Sequence, residues 1–355
     1  MKKVNIAIAL GATCAGCDVA ILDLNEKILD VAELVEFKFW PTAMDFNIED
    51  LLALKDGEID VGIYHGAIRT EEDEKIAKIL RKKSKKIVAF GACANFGGIP
   101  SLANMPYSQS TFDLVYKNVP SMDNPKGITP QTHTKIDGEK LTLPGFRKQA
   151  NSLESVIDVD YYVPGCPPMV PLIEKLVEVL KVFAETGELP PKGTVIAEEK
   201  TLCEECGRTK PEHISLEDIL TPHEIDEIDP DLCLLAQGII CLGPATRAGC
   251  GALCTKSNVG CRGCLGPTSK VKDQGLKMIS ALSSLIGLEN EESLTEEDFD
   301  KLINKIEDPL GTFWRFTFGK SLVAQLHPDE DLSLIHISEP TRLGMIAYAV
   351  SFLKK

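Results

Sequence analysis

Twelve cysteines hold most of the chemistry open to this chain. Cys14-Ala15-Gly16-Cys17 follows the apolar stretch Val4–Leu10 and precedes helical spacing from Asp18 to Asp30, which puts a Cys-x-x-Cys pair on a strand-to-helix turn. Cys93 closes the apolar run Lys86-Ile87-Val88-Ala89-Phe90-Gly91-Ala92, and Cys166 follows Tyr161-Tyr162-Val163-Pro164-Gly165. In an open α/β sheet, ligands bind beyond the carboxyl ends of the strands. Four thiols from three strand ends are therefore expected at one point, the arrangement of a four-thiolate metal site. The other eight sort into two further sets of four: Cys203-x-x-Cys206 with Cys233 and Cys241, and Cys250 and Cys254 with Cys261-x-x-Cys264.

Two kinds of group take four thiolates. Structural zinc does so through paired Cys-x-x-Cys knuckles and would account for residues 203–264. It accounts poorly for Cys14, Cys17, Cys93 and Cys166, which come from distant strand ends. Cubane 4Fe–4S clusters also take four thiolates, and three in one chain make an electron relay; this is the favoured reading. Other candidates are bland. His213 and His223, between Cys206 and Cys233, read as exposed loop histidines, and Glu204 and Glu205 as solvated. Gly97-Gly98 lacks the Lys-Ser/Thr of a phosphate loop and reads as a tight turn. Arg69 with Glu71 and Glu72 reads as a surface ion pair. No Ser/His/Asp or Cys/His pairing points to hydrolysis.

The elements that must position these thiols alternate. Strands are expected at Val4 to Leu10, Glu33 to Trp40, Asp60 to Ile68, Lys86 to Cys93 and Asp158 to Val163, with helices at Glu71 to Lys83 and Pro171 to Glu185. That alternation implies an α/β fold with a doubly wound parallel sheet. Asn95 to Lys148, with six prolines, breaks the rhythm as a long excursion near the cluster end. Gly187-Glu188-Leu189-Pro190-Pro191-Lys192-Gly193 is a linker. Beyond it, residues 203–264 show little periodicity and are expected to need metal rather than a core of their own. Helices return at Lys270 to Ile286 and after Thr295 as N-cap, and Asp308 to Phe316 reads as an aromatic-rich extended piece, either a strap over the core or a partner-facing surface. Units of 1–190, 191–270 and 271–330 follow, with 331–355 set apart. Within that tail, Leu332 to Arg342 reads like an in-frame translation of a transposon-type sequencing adaptor, so the natural C-terminus is expected to be missing or altered.

Composition bounds the rest. With 355 residues and 44% apolar content the chain can build two cores, and a net charge of −15 excludes a nucleic-acid or anionic-membrane surface. No run is long enough to span a bilayer, and no signal peptide precedes Cys14. Twelve cysteines without an export signal point to metal and to the cytoplasm rather than to disulfides.

The set Cys14-x-x-Cys17, Gly91-Ala92-Cys93 and Gly165-Cys166-Pro167-Pro168, with the two later groups, resembles the small subunit of nickel–iron hydrogenases over about residues 4 to 320. Gly66-Ala67-Ile68-Arg69-Thr70-Glu71-Glu72 and Asp308-Pro309-Leu310-Gly311-Thr312-Phe313 narrow the likeness to the cytoplasmic methyl-viologen-reducing, coenzyme F-420-non-reducing type of methanogens and related archaea. The resemblance implies a flavodoxin-like domain followed by a small, irregular cluster-binding domain and C-terminal helices. It implies a proximal cluster on Cys14, Cys17, Cys93 and Cys166, facing a large subunit whose nickel–iron centre splits H2. Electrons would pass through a medial cluster on Cys250, Cys254, Cys261 and Cys264 to a distal one on Cys203, Cys206, Cys233 and Cys241. A 2Fe–2S subunit and a heterodisulfide reductase would receive them. Cys203 stands where many members have a distal His, and Cys254 adds a thiol that a medial 3Fe–4S cluster lacks. Asp18 and His65 depart from the positions tied to proton transfer in the family. Competing readings are the coenzyme F-420-reducing relative, the quinone-reductase relative (disfavoured because its first motif has adjacent cysteines) and a zinc-stapled adaptor protein.

Overall fold

The computed structural model describes residues 3–104, 111–286 and 296–324; Thr295 and the Leu332 to Arg342 stretch lie outside them. Along the chain, β1 (Val4–Leu10) leads through α1 (Gly16–Leu22) and α2 (Ile28–Leu34) to β2 (Val35–Phe39), and α3 (Ile48–Ala53) leads to β3 (Ile59–His65). There follow β4 (Ile68–Thr70), α4 (Glu71–Lys83), β5 (Ser84–Phe90) and α5 (Gly91–Phe96). The excursion holds the single turn α6 (Thr111–Asp113), the hairpin of β6 (His133–Ile136) and β7 (Glu139–Thr142), and β8 (Phe146–Asn151), before β9 (Tyr161–Val163) and α7 (Val170–Thr186).

Five strands form one parallel sheet in the order β2-β1-β3-β5-β9. This is the flavodoxin-like doubly wound order, with its switch point between β1 and β3. Successive side chains point to opposite faces, and both faces are covered. Ile6, Ile8, Val61, Ile63, Val88, Phe90 and Val163 pack with Ala20 of α1, Val31 of α2 and Leu172, Leu176 and Leu180 of α7. Ala7, Ala9, Tyr64, Ile87 and Ala89 pack with Leu51 of α3, Ala77 and Leu80 of α4 and Ala94 of α5. Burial on both sides explains why the strands read as apolar runs. A capping box starts α4: the Asp73 N–H donates to Thr70 Oγ1 at 3.1 Å and the Thr70 N–H to Asp73 Oδ2 at 2.7 Å.

Three expected elements end early, each for a local reason. The helix from Asp18 to Asp30 divides at Asn25, whose φ is +53°. The third strand stops at His65 because Gly66 takes φ +99°, with Gly11 so close that a Cβ would lie 2.8 Å from its backbone; Ile68–Thr70 pairs instead with β8. The fourth stops at Phe90, so Cys93 sits inside α5 and not at the end of a strand.

A second core joins the two cysteine-rich sets to the C-terminal helices. Here α8 (Leu202–Glu205) and α9 (Leu253–Lys256) precede α10 (Gln274–Ser283), α11 (Glu296–Asn304) and α12 (Pro309–Phe313). Leu202, Leu216, Leu234, Leu235 and Leu242 pack with Met278, Leu282, Leu310, Phe313 and Trp314. The irregular segment therefore does have apolar packing, borrowed from helices after it. Asp308 to Phe316 is not extended: Asp308 Oδ1 accepts from the Gly311 N–H at 2.8 Å and Pro309 starts a helix. Trp314 is 1% exposed and donates to Asp273 Oδ1 at 2.7 Å, so the stretch straps the core. Among the described residues no helix is long and apolar enough to cross a membrane.

Candidate metal centre

Register brings the first four thiols together. Leu10 stands opposite His65, His65 opposite Phe90, and Phe90 opposite Val163, so four strand ends finish level. Cys14 and Cys17 follow the first of these, Cys93 the third and Cys166 the fourth. Burial pushes the Cys17 thiol far up, and negative charge on Cys93, Cys166 and Cys14 pushes it further. Cys93 is raised to about 12 by burial, then by Cys166 and Cys14. Thiols so buried, each also opposing its neighbours' ionisation, need cationic compensation to act as thiolates, which a coordinated metal group would supply. Glycines keep the space between them open. A Cβ on Gly91 would stand 2.5 Å from Cys17 Sγ, and one on Gly98 2.5 Å from Cys93 Sγ. The Gly97-Gly98 turn thus shapes this cradle.

The second set lines a cavity: Cys203, Cys206, Cys233 and Cys241 surround it with Arg208 and Lys210. Thr209 positions two of these residues by pairing with the segment before Cys233, whose N–H donates to the Thr209 carbonyl at 2.8 Å. Cys241 is pushed to about 11 by burial. A Cβ on Gly243 would lie 3.1 Å from Cys203 Sγ and 3.5 Å from Cys241 Sγ, so this cradle too is kept clear by a glycine.

The third set lies between the other two. Cys264 is raised to about 12 by burial, opposed by an N–H···S hydrogen bond from Cys166 and reinforced by Cys250 and Cys254. On the other side, the Cys261 N–H donates to Cys241 Sγ at 3.2 Å. The third set thus adjoins both neighbours, through Cys166 beside Cys264 and through the Cys261–Cys241 bond. Cys250 packs against both cores, placing this set at their seam. Glu205 is not left to solvent but reaches back, accepting from the Gly249 and Gly251 N–H groups at 2.9 and 3.1 Å on either side of Cys250. No sequence signal marks that role.

Donor type and surroundings fit iron–sulfur groups. All three sets are thiols alone, and the Cys261 and Gly263 N–H groups donate to Cys241 Sγ and Cys261 Sγ at 3.2 and 3.4 Å; such bonds are a recognised lever on cluster potential. Among the described residues no three His, Cys, Asp or Glu side chains are arranged to hold a single metal ion.

Other expected residues stand apart. Asp18 and His65 are buried beside Cys17: His65 Nε2 lies 3.1 Å from Asp18 Oδ2, and the Trp40 indole N–H donates to Asp18 Oδ1 at 2.8 Å. The His65 contact falls outside hydrogen-bond geometry. Burial pushes the Asp18 carboxyl up, but the His65 ring, Trp40 and Thr42 outweigh it and hold the carboxyl below its usual value. His213 and His223 are exposed, as expected. Arg69 makes no surface ion pair with Glu71 or Glu72; its guanidinium donates to the Arg147 carbonyl at 3.0 Å and covers the Phe146 ring at 4.7 Å.

Residues 14–180 match the family described as "NADH ubiquinone oxidoreductase, 20 Kd subunit". The chain is 43% identical over 290 residues to the iron-sulfur subunit of the F420-non-reducing hydrogenase of Archaeoglobus profundus, covering 80% of this chain and 89% of that one. It is 36% identical over 323 residues to the corresponding subunit of the F420-non-reducing hydrogenase of Methanothermobacter thermautotrophicus, covering 91% and 96%. Among solved structures, the oxidised NiFeSe hydrogenase of Desulfovibrio vulgaris Hildenborough is similar, with a TM-score of 0.48 at 18% identity over 75% of this chain and 94% of that one.

Proposed function

The chain belongs to the family of F420-non-reducing hydrogenase iron–sulfur subunits, small subunits of nickel–iron hydrogenases, and on that premise we propose that it relays electrons through three 4Fe–4S clusters. Cys14, Cys17, Cys93 and Cys166 would hold the proximal cluster, Cys250, Cys254, Cys261 and Cys264 the medial one, and Cys203, Cys206, Cys233 and Cys241 the distal one. The carrying observation is the stepwise adjacency of the sets, Cys166 to Cys264 and Cys261 to Cys241. When bound, these groups supply one-electron redox chemistry. The chain's own residues collect the thiolates at level strand ends, keep the cradles clear of side-chain bulk with glycines and aim N–H groups at the sulfurs.

The proximal set sits at the carboxyl edge of the sheet, where the nickel–iron large subunit would dock. Beyond the distal set we place a 2Fe–2S subunit and a heterodisulfide reductase in the cytoplasm. The units 1–190, 191–270 and onward belong to the same proposal. Iron and acid-labile sulfide on anaerobically purified protein test it: about twelve iron atoms per chain are expected, four for each set of four thiolates. Zinc in the 203–264 segment, with iron confined to the first set, would overturn it.

A further inference from the structure

Charge is not shared evenly among the three thiol sets. The first has the buried Asp18 carboxylate beside Cys17, where it adds to the charge opposing that thiolate. The third has Glu205, which acts on Cys250 in the same sense and is fixed by the Gly249 and Gly251 N–H groups. The second has cations instead. Arg208 is 9% exposed, lines the cavity of Cys203, Cys206, Cys233 and Cys241, and is clamped by the carbonyls of Thr255, Asp229 and Leu232. Lys210 lines the same cavity, and burial of Cys203 is partly offset by its charge and hydrogen bond. Glu204, next to Cys203 in sequence, accepts from the Thr201 N–H and hydroxyl.

We propose that Lys210, with Arg208 behind it, holds the outermost thiol set at a more positive potential than Glu205 and Asp18 allow the other two, so that an electron entering the relay comes to rest at the exit. A cation near a cluster favours its reduced, more negative state and a carboxylate disfavours it, and the effect is larger in a partly buried site than in water. One electron is exchanged at each transfer, lost by the inner set and gained by the outer, with H2 as the ultimate reductant and no proton moved. The inference rests on the three-cluster reading above. Lys210 is exposed, so it can be replaced without opening a core, whereas truncating Arg208 would strand buried carbonyls.

The test uses the assembled hydrogenase, purified anaerobically, with the unsubstituted chain and with Lys210→Met, Lys210→Arg and Glu205→Gln. Iron and sulfide are counted first, and a redox titration is then followed by electron paramagnetic resonance. An unsubstituted protein short of about twelve iron atoms fails the three-cluster reading itself. With full iron, Lys210→Met should lower one cluster's reduced fraction about tenfold at fixed potential, a shift of about 59 mV for a one-electron couple. Lys210→Arg should restore it, and Glu205→Gln should shift a different signal upward. Unmoved potentials in Lys210→Met would overturn the proposal. So would loss of iron in that variant alone, which would make Lys210 a residue that holds the cluster and not one that tunes it.

Discussion

Gly91→Ala tests the cradle with one carbon atom. Gly91 has φ +84°, and its added Cβ would stand 2.5 Å from Cys17 Sγ. Two costs then combine. A left-handed alanine costs about 1–2 kcal/mol, and forcing a methyl into a packed site adds about 1–3 kcal/mol. Gly57→Ala separates them, because Gly57 has φ +73° with nothing within 4 Å of its Cβ. Backbone strain is common to both variants, so the sulfur contact should appear as an excess of about 1–3 kcal/mol in Gly91→Ala. Cys17 cannot yield without leaving its set, so iron should fall from about twelve to about eight atoms per chain. Gly57→Ala should keep all of its iron. The assay is iron and sulfide content with thermal unfolding of the anaerobic protein. If Gly91→Ala retains its iron and unfolds together with Gly57→Ala, the sulfur contact contributes nothing and the cradle reasoning fails.

Three further outcomes follow from other sites. Cys254→Ser should convert the third set to a 3Fe–4S group with its own paramagnetic signal; an unaltered spectrum removes Cys254 from the ligands. Asp160 is buried and accepts from the Ile87 N–H at 2.9 Å and from Arg81 at 2.7 Å. Burial pushes its carboxyl up, but Ile87, Arg81 and Lys86 hold it below the ordinary value. A depressed folded pKa stabilises above the unfolded value and loses that contribution as pH falls through the folded one. Asp160→Asn should therefore cost about 3 kcal/mol at pH 7, a gap that closes only below about pH 4 in urea unfolding; closure by pH 6 would assign the effect elsewhere. Gly275→Ala lies inside α10, where alanine usually gains about 1 kcal/mol. Its Cβ would stand 2.0 Å from the Trp314 ring, so the unfolding temperature should fall instead, and a rise would show that the ring can give way.

What the sequence made legible was periodic or paired. Apolar runs at β1, β3 and β5 located the sheet, and βα alternation gave its parallel, doubly wound character but not its strand order. Cys-x-x-Cys spacing grouped the thiols. Misreadings came where local chemistry carried no period. Asp308-Pro309 is a helix start by cap and N1 signal, yet the aromatic density of Phe313, Trp314 and Phe316 resembled a strand. Gly91 and Ala92 continue an apolar run in composition, while the left-handed φ that turns the chain into α5 is invisible to hydropathy. Glu205 looked solvated because its partners, the Gly249 and Gly251 N–H groups, lie more than forty residues away.

The seam between the sheet and the second core constrains the proposed relay more than any motif does. The two packed faces of the sheet draw on residues 4–196 with Leu265 added, and the second core is built from Leu202 onward. Cys250 packs against cores on both sides of that division, and Cys264 sits with the sheet core while its neighbour in sequence, Cys261, belongs to the other. A group bound across these thiols would therefore cross-link the two parts as well as pass electrons between them. Emptying the third set should loosen the seam and not unfold the sheet, whose strands are satisfied among themselves. Cys264→Ala then separates the roles. Hydrogen exchange should rise along Glu198 to Ala252 while Ile6 to Ala9 stay protected, and uniform loss of protection would show that the sheet depends on the cluster for its own stability.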